Sequence, residues 1–420
     1  MIFVAWTIQD VKLLQSLSCH SEEKIIVISL RLSSYCYAKY CGFTVVGLWQ
    51  VPFFASLLFW KKIVNPFNVD TKFYRGLSIK QQYFDSSFSI YQKYLARNLV
   101  GSMGTVFLTG TSRLSEQAIG SYFDQNEIIY WEAGINGTIY MSKNGVNADA
   151  DFRFLAEGDR SQFSKLFSQT CRVDQFEKIT KIPVLELFFK VIDGLYLVVL
   201  RYLFFNKEVD EILGLNLAMF RFYKKDIKHN LNLRYFLFVD QVEQDTNSTH
   251  FGIPPSEIVI YLKHIMESNR LEGPCTLIRR AHPRQLITAV SQQLRGAITT
   301  QYIDGSGMDL MEALLNAKLI ITVNSTVGVE ALMHGKPVVL LGKSYFDRLY
   351  GVLTPEDGIR YASGDLLLDS DKIKSGITQF LDNCFIPIDY RRGEFFCVHG
   401  FDDFLYGIAP SSISKGVYRI

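Results

Sequence analysis

The stretch LIITVNSTVGVEALMHGKPVVLLGKSYFD, Leu319 to Asp347, restricts the possible folds more than any other part of the chain. Leu319 to Val323 is a short β-branched apolar run, Asn324-Ser325-Thr326 supplies capping oxygens, and Val327 to His334 has helical spacing. Gly335 reads as a helix stop, Lys336-Pro337 leads into a second buried run from Val338 to Leu341, and Gly342 opens another turn. Strand, tight turn, helix and strand in that order make the repeating unit of a doubly wound α/β domain. A small polar turn feeding a helix N-terminus sets backbone N–H groups beside hydroxyls, which suits a phosphate at Ser325 and Thr326. The same letters also suit an ordinary βαβ unit with a Ser/Thr cap, so the stretch speaks to fold before it speaks to function.

The alternation recurs along the chain. Strand Thr44 to Trp49, turn Gln50-Val51, a helix from Pro52 to Lys62 and a short strand ending at Phe67-Asn68 form one unit. Strand Thr105 to Leu108, the turn Thr109 to Arg113, helix Ser115 to Phe123 and strand Glu127 to Trp131 form the next. Glu132 follows that last strand, where α/β sheets bind ligands; a loop carboxylate satisfied by backbone N–H groups is the plainer alternative. After an apolar helix, Ile182 to Phe205, come strand Tyr235 to Val239, the segment Gln241 to Asp245, helix Pro255 to Ser268 and strand Cys275 to Arg279. His282-Pro283, helix Arg284 to Gln293, strand Ile298 to Tyr302 and helix Met308 to Asn316 complete the approach to Leu319. Residues 1–41 hold one apolar run, Lys24 to Leu30, and read as an N-terminal extension. The pattern thus divides into a Rossmann-like domain over 42–175, a helical connection over 176–232, a second Rossmann-like domain over 233–400 and a tail over 401–420. Two such domains facing across a cleft are the GT-B form of the α/β class.

Composition narrows the chemistry. A net charge of +2 gives no global reason to expect nucleic acid, although Arg279-Arg280 is a local basic pair. Seven cysteines lack CxxC or CxxH spacing, so neither a zinc site nor a disulfide framework is indicated and a reducing cytoplasm fits. No basic segment followed by an apolar run and a small-residue cleavage site marks the N-terminus. Tyr40 to Trp60 carries no charge and imitates a membrane span, but Gln50 and Pro52 interrupt it and its first half reads as a strand. Asp149-Ala150-Asp151 has the letters of a metal-binding DxD yet reads as a solvated turn, so no metal or other cofactor is expected.

Several short motifs in fixed order resemble the capsule-polysaccharide β-Kdo transferases of Gram-negative bacteria, over roughly Val45 to Gly400. They are Trp49-Gln50-Val51-Pro52-Phe53-Phe54 with Phe67-Asn68-Val69-Asp70, then Gly110-Thr111-Ser112-Arg113, Glu132-Ala133-Gly134 and Gly145-Val146-Asn147. Gln241 to Asp245, Arg280-Ala281-His282-Pro283 and Asn324 to Gly328 follow. Two departures stand out: Thr111 replaces the family's Asp, and the loop between Glu132 and Gly145 is shortened and lacks the usual Arg-Pro pair. That loop is expected on the acceptor side, so acceptor or sugar can differ from the family's.

The resemblance implies transfer of a Kdo-like ulosonic acid from a CMP-sugar to a lipid or glycan acceptor, with retention. Two displacements need one carboxylate as nucleophile and another as acid/base, as in retaining glycosidases. Asp245 and Glu132 are the matching pair, with Asp240 and Glu243 as neighbouring alternatives to the former. Gln241, Arg280, His282, Asn324, Ser325, Thr326 and Glu330 are expected on the donor side, and Gln50, Arg113 and Asn147 on the acceptor side. Imidazole and helix-terminal N–H groups can neutralise a leaving phosphate without a metal. The resemblance also implies a cytoplasmic protein, peripheral at the inner membrane face, within a capsule-assembly complex. A non-catalytic member of such a complex and a UDP-sugar enzyme of the same fold are the competing readings.

Overall fold

The computed structural model describes residues 1–18, 25–51, 81–99, 104–110, 114–123, 128–135, 138–150, 184–204, 234–243, 245–269, 275–282, 285, 287–298 and 302–387. The chain forms two compact units, Met1–Gly214 with Asp382–Ile420, and Leu215–Leu381. Both are α/β, each on its own largely parallel sheet.

Unit one contains β1 (Ile2–Ala5), α1 (Ile8–Ser18), β2 (Ile26–Ser29), α2 (Leu32–Tyr40), β3 (Thr44–Gly47) and a 3-10 turn at Leu48–Gln50. It continues with α3 (Gln81–Asn98), β4 (Val106–Leu108), α4 (Leu114–Tyr122), β5 (Ile128–Ala133), β6 (Thr138–Ser142) and α5 (Val184–Phe204). The sheet order is β13-β6-β5-β4-β1-β2-β3, where β13 (Ile386–Pro387) is contributed from the C-terminal side. Residues 1–41 are therefore no extension: they supply the strand between β2 and β4, and its neighbour. Phe3 and Ala5 enter one core layer and Ile2 and Val4 the other, so β1 is buried on both faces. A strand buried in this way shows as a bare apolar run without alternation, which is why four residues at the terminus pass unnoticed.

Asp10, in the first turn of α1, accepts the Trp6 and Thr7 N–H groups at 2.8 Å each. Burial pushes its carboxyl above the usual range, with those hydrogen bonds opposing. Helix α5 docks on α2 through Asp193, which accepts the Ser33 N–H at 3.4 Å and lies 3.9 Å from Arg31. Tyr196 adds a hydrogen bond to the Trp49 carbonyl at 2.7 Å. The uncharged run from Tyr40 is accordingly spent on the end of α2, on β3 and on the turn that follows; 52–60 lie outside the described residues. Among the described residues no helix is long and apolar enough to cross a membrane.

Unit two contains β7 (Tyr235–Val239), α6 (Thr246–Phe251), α7 (Pro255–Ser268), β8 (Thr276–Arg280), α8 (Ala289–Ala297), β9 (Tyr302–Asp304) and α9 (Leu310–Asn316). Then follow β10 (Leu319–Thr322), α10 (Val327–Met333), β11 (Val338–Leu340), β12 (Val352–Leu353), α11 (Pro355–Ala362) and α12 (Ser370–Cys384), whose residues from Asp382 onward count with unit one. All its strands are parallel, in the order β12-β11-β10-β7-β8-β9. The Leu319–Asp347 stretch folds as its pattern predicts, and Gly335 ends α10 at φ 70 with its N–H on the Leu332 carbonyl, the left-handed cap that glycine favours. The helix expected from Arg284 instead starts at Ala289, because Thr288 and Ser291 form a capping box there. Residue 298, expected to open a strand, caps that helix, and β9 starts at Tyr302.

Candidate active site

In unit two the chain runs β7, β8, β9 to one side and then returns to place β10 on the other side of β7. The boundary between β7 and β10 is thus a topological switch point, and the strand ends beside it are where open α/β sheets bind ligands. The predicted donor-side motifs leave the C-terminal ends of β10, β7 and β8, which are adjacent.

A reciprocal amide clamp closes the switch point. Gln241 Nε2 donates to Asn324 Oδ1 at 2.9 Å, and the Asn324 N–H donates to Gln241 Oε1 at 2.8 Å. Asn324 Nδ2 also reaches the Asn247 carbonyl at 2.7 Å, so the first turn of α6, the helix that Asp245 precedes, is tied to the same point. Asn324 is buried and its amide is spent on protein partners, which makes it a builder of the site rather than a cap for α10. Beside it the Val327 N–H turns to Ser325 Oγ at 3.3 Å, and the Gly328 N–H bonds the Ser325 carbonyl at 2.9 Å. Thr326 is the exposed N-cap residue, in right-handed helical geometry with no side-chain cap bond. Two amides pictured as open to an anion are thus already engaged locally, while Ser325 and Thr326 remain at the surface of the turn. Glu330 lies one turn further along α10, half-buried.

The three acidic residues after β7 have separate fates. Asp240 is buried against Arg279, which has no exposed surface; Arg279 Nε and Nη2 approach Asp240 Oδ2 at 2.8 and 2.7 Å. Thr288 Oγ1 donates to the same oxygen at 2.6 Å, and the Gln241 N–H donates to Asp240 Oδ1 at 2.9 Å. Glu243 accepts from Gln285 Nε2 at 3.2 Å and from the Ala289 N–H at the start of α8, where an anion complements the helix dipole. Asp245 alone is exposed, at the N-cap of α6. Arg280 ends β8, half-buried, with Nε on the Met308 carbonyl at 3.3 Å, and half-buried His282 pairs with Gln285.

Sequence reasoning missed Arg279 and Gln285. An arginine inside the apolar strand TLIRR was the available signal for the first, and the full burial of Arg279 removes it from any basic surface patch. Gln285 joins the loop after β8 to the loop after β7, since its Oε1 also accepts the Glu243 N–H at 2.9 Å; spacing alone gave no hint of that.

In unit one, Glu132 lies within β5 rather than beyond it, because the unforeseen antiparallel strand β6 pairs with it and sets Glu132 opposite Tyr140. The Tyr140 hydroxyl donates to Glu132 Oε2 and accepts the Asn147 N–H at 2.8 Å, so the Glu132 and Asn147 motifs meet through a tyrosine that neither contains. Gly134 is required by packing: a Cβ there would lie 2.5 Å from both the Phe385 ring and Thr138 Oγ1. Gln50 follows β3 and accepts from the Tyr94 hydroxyl at 3.2 Å. The sheet order puts β3 four positions from β5, roughly 19 Å at the usual strand spacing, so Gln50 and Glu132 are not neighbours. Arg113 lies outside the described residues, as do Pro52 to Arg75. Among the described residues no group of three His, Cys, Asp or Glu side chains could hold a metal ion.

A family model described as capsule polysaccharide biosynthesis protein matches residues 220–355. The capsule polysaccharide export protein KpsS of Escherichia coli is 28% identical over 131 residues, which cover 29% of this chain and 33% of that protein. The chain therefore matches about a third of that relative's length. Among solved structures, the β-Kdo 2,7 transferase KpsC of Thermosulfurimonas dismutans superposes with a TM-score of 0.34 at 12% identity, covering 68% of this chain and 79% of that one. MnaA of S. aureus in complex with UDP gives a TM-score of 0.38 at 11% identity, covering 98% of each chain. The stretch that matches the capsule polysaccharide biosynthesis family model, residues 220–355, holds all three loops of the switch-point cluster.

Proposed function

We propose that the protein is a glycosyltransferase of capsule or surface polysaccharide synthesis that moves a Kdo-like ulosonic acid from a CMP-sugar to a lipid or saccharide acceptor. The observation that carries this reading is the Gln241–Asn324 clamp across the β7/β10 boundary, which gathers Asp245, His282, Ser325 and Thr326 at neighbouring strand ends. In this reading Ser325, Thr326 and His282, with Arg280 nearby, hold the leaving phosphate, and Glu330 reaches the donor ribose. Asp245 attacks the anomeric carbon, CMP departs with the bonding electron pair, and an ester to the sugar forms. The acceptor hydroxyl then displaces Asp245 while Glu132 takes its proton, so two inversions retain configuration. Gln50, Arg113 and Asn147 belong to the acceptor side. No metal takes part in this reading, since phosphate charge is met by imidazole and by the Ser325 and Thr326 hydroxyls.

Support for Asp245 over its neighbours is physical. A nucleophile must be ionised and reachable, and Asp240 and Glu243 are spent on Arg279 and on α8. Incubation with CMP-Kdo, in the Glu132→Gln variant to slow the second step, is expected to leave a sugar adduct on the peptide carrying Asp245, read by mass spectrometry. An adduct elsewhere, or an Asp245→Asn enzyme that turns over freely, refutes the assignment. Thermal stabilisation by CMP and not UDP is expected from a CMP-sugar enzyme, because a ligand of the folded state alone adds RT ln(1 + [L]/Kd). A non-catalytic partner would show neither turnover nor adduct.

We also propose peripheral attachment to a lipid surface through α5. Val184, Leu187, Phe188, Val191 and Leu195 lie on one helical stripe and are exposed, while Phe189 and Asp193 face inward. An apolar stripe opposite a docked face is the form of an interfacial helix.

A further inference from the structure

Glu132 and Tyr140 face one another across the antiparallel pair β5–β6. The Tyr140 hydroxyl donates to Glu132 Oε2, and its oxygen accepts the Asn147 N–H at 2.8 Å. Hydrogen bonds in series polarise one another, so the amide behind the phenol strengthens the phenol's bond to the carboxylate.

Three features fix the phenol in place. Tyr140 is 1% exposed. The Phe385 ring packs edge-on against it at 5.5 Å, carried by the residue that precedes β13, whose strand pairs with β6. Asn147 holds φ at 56, the one non-glycine residue with positive φ among the described residues, and in that conformation its N–H points to the phenol. Such backbone strain persists only where the surroundings impose it. A tyrosine buried for packing needs a single partner for its hydroxyl. This one both accepts and donates, and its proton goes to a carboxylate that is only half-buried.

We propose that Tyr140 is a positioning residue of the transferase, holding the Glu132 carboxylate in one orientation at the end of β5 with the Asn147 N–H as the brace behind it. The proposal rests on Glu132 being the acid/base residue. A carboxylate held in one orientation meets the acceptor hydroxyl in line, whereas a rotating one would spend most of its time misaligned.

Carbon-13 titration of glutamate-labelled protein tests the arrangement directly, with the Glu132 carboxyl resonance identified by its absence from Glu132→Gln. In Tyr140→Phe the Glu132 midpoint is expected to rise by about one pH unit, a tenfold change in proton affinity, because the lost donor favoured the ionised form. The acidic limb of the pH profile for CMP release from CMP-Kdo should move with it. An unchanged midpoint in folded Tyr140→Phe overturns the proposal. Should that variant fail to fold, the wild-type protein still decides: the Tyr140 hydroxyl proton is expected far downfield and displaced by Glu132→Gln, and a resonance indifferent to Glu132→Gln overturns the proposal. Turnover separates the two levels. A fully active Glu132→Gln enzyme removes the acid/base reading itself, whereas an inactive one with an unmoved Tyr140→Phe midpoint removes only the role of Tyr140.

Discussion

Replacing Arg279 by leucine takes the cation out of a pair whose members are almost wholly buried, Arg279 at 0% and Asp240 at 4% exposure. An anion left without its partner in such surroundings costs about 3–5 kcal/mol. Asp240 keeps the Gln241 N–H at 2.9 Å and the Thr288 hydroxyl at 2.6 Å, and hydrogen bonds to an ionised group contribute about 1.5–3 kcal/mol each. The expected loss therefore sits at the low end, about 3 kcal/mol. For a unit the size of Leu215–Leu381, at about 2–4 °C per kcal/mol, the transition should fall by roughly 6–12 °C. Calorimetry and far-ultraviolet circular dichroism read this, and tryptophan fluorescence provides a control, since Trp6, Trp49, Trp60 and Trp131 all belong to unit one. Combining Arg279→Leu with Asp240→Leu should restore most of the stability, because no buried charge remains. The combined variant should nevertheless lose stabilisation by CMP, since the Gln241 N–H is no longer anchored at Asp240 Oδ1. A loss below about 1 kcal/mol in the single variant, or a double variant less stable than either single one, would refute the reasoning.

Two further outcomes are expected. Asn147→Val should destabilise unit one by about 1–3 kcal/mol in urea unfolding while Asn147→Gly should not, because a β-branched residue resists the φ of 56 that glycine accepts; equal effects would count against backbone strain. The protein should sediment with anionic lipid vesicles, and Leu187→Asp with Leu195→Asp should abolish this without lowering the melting temperature; binding that survives both substitutions excludes the α5 stripe.

The sequence by itself determined the fold class and the strand-end positions of Gln241, His282 and Ser325. Apolar runs of strand length alternating with helical spacing leave little choice but an α/β domain, and Leu319 to Leu341 reads almost residue for residue as β10, α10 and β11. Gln241, His282 and Ser325 were legible because strand-end residues are local: each follows its own strand directly. Whatever depended on contacts between distant segments was not legible. Nothing local says that Gln241 would spend its amide on Asn324, that Glu243 would face Gln285, or that an arginine inside β8 would neutralise Asp240. Residues 1–41 became the middle of a sheet because β4 returned beside β1, a choice made by packing rather than by the letters Ile2 to Ala5. Tyr140 gained its place beside Glu132 only when β6 turned antiparallel and Phe385 came back from the far end of the chain. Periodicity records what one segment does with its own backbone, whereas hydrogen bonds between side chains far apart in sequence exist only once the sheet has brought their strands together.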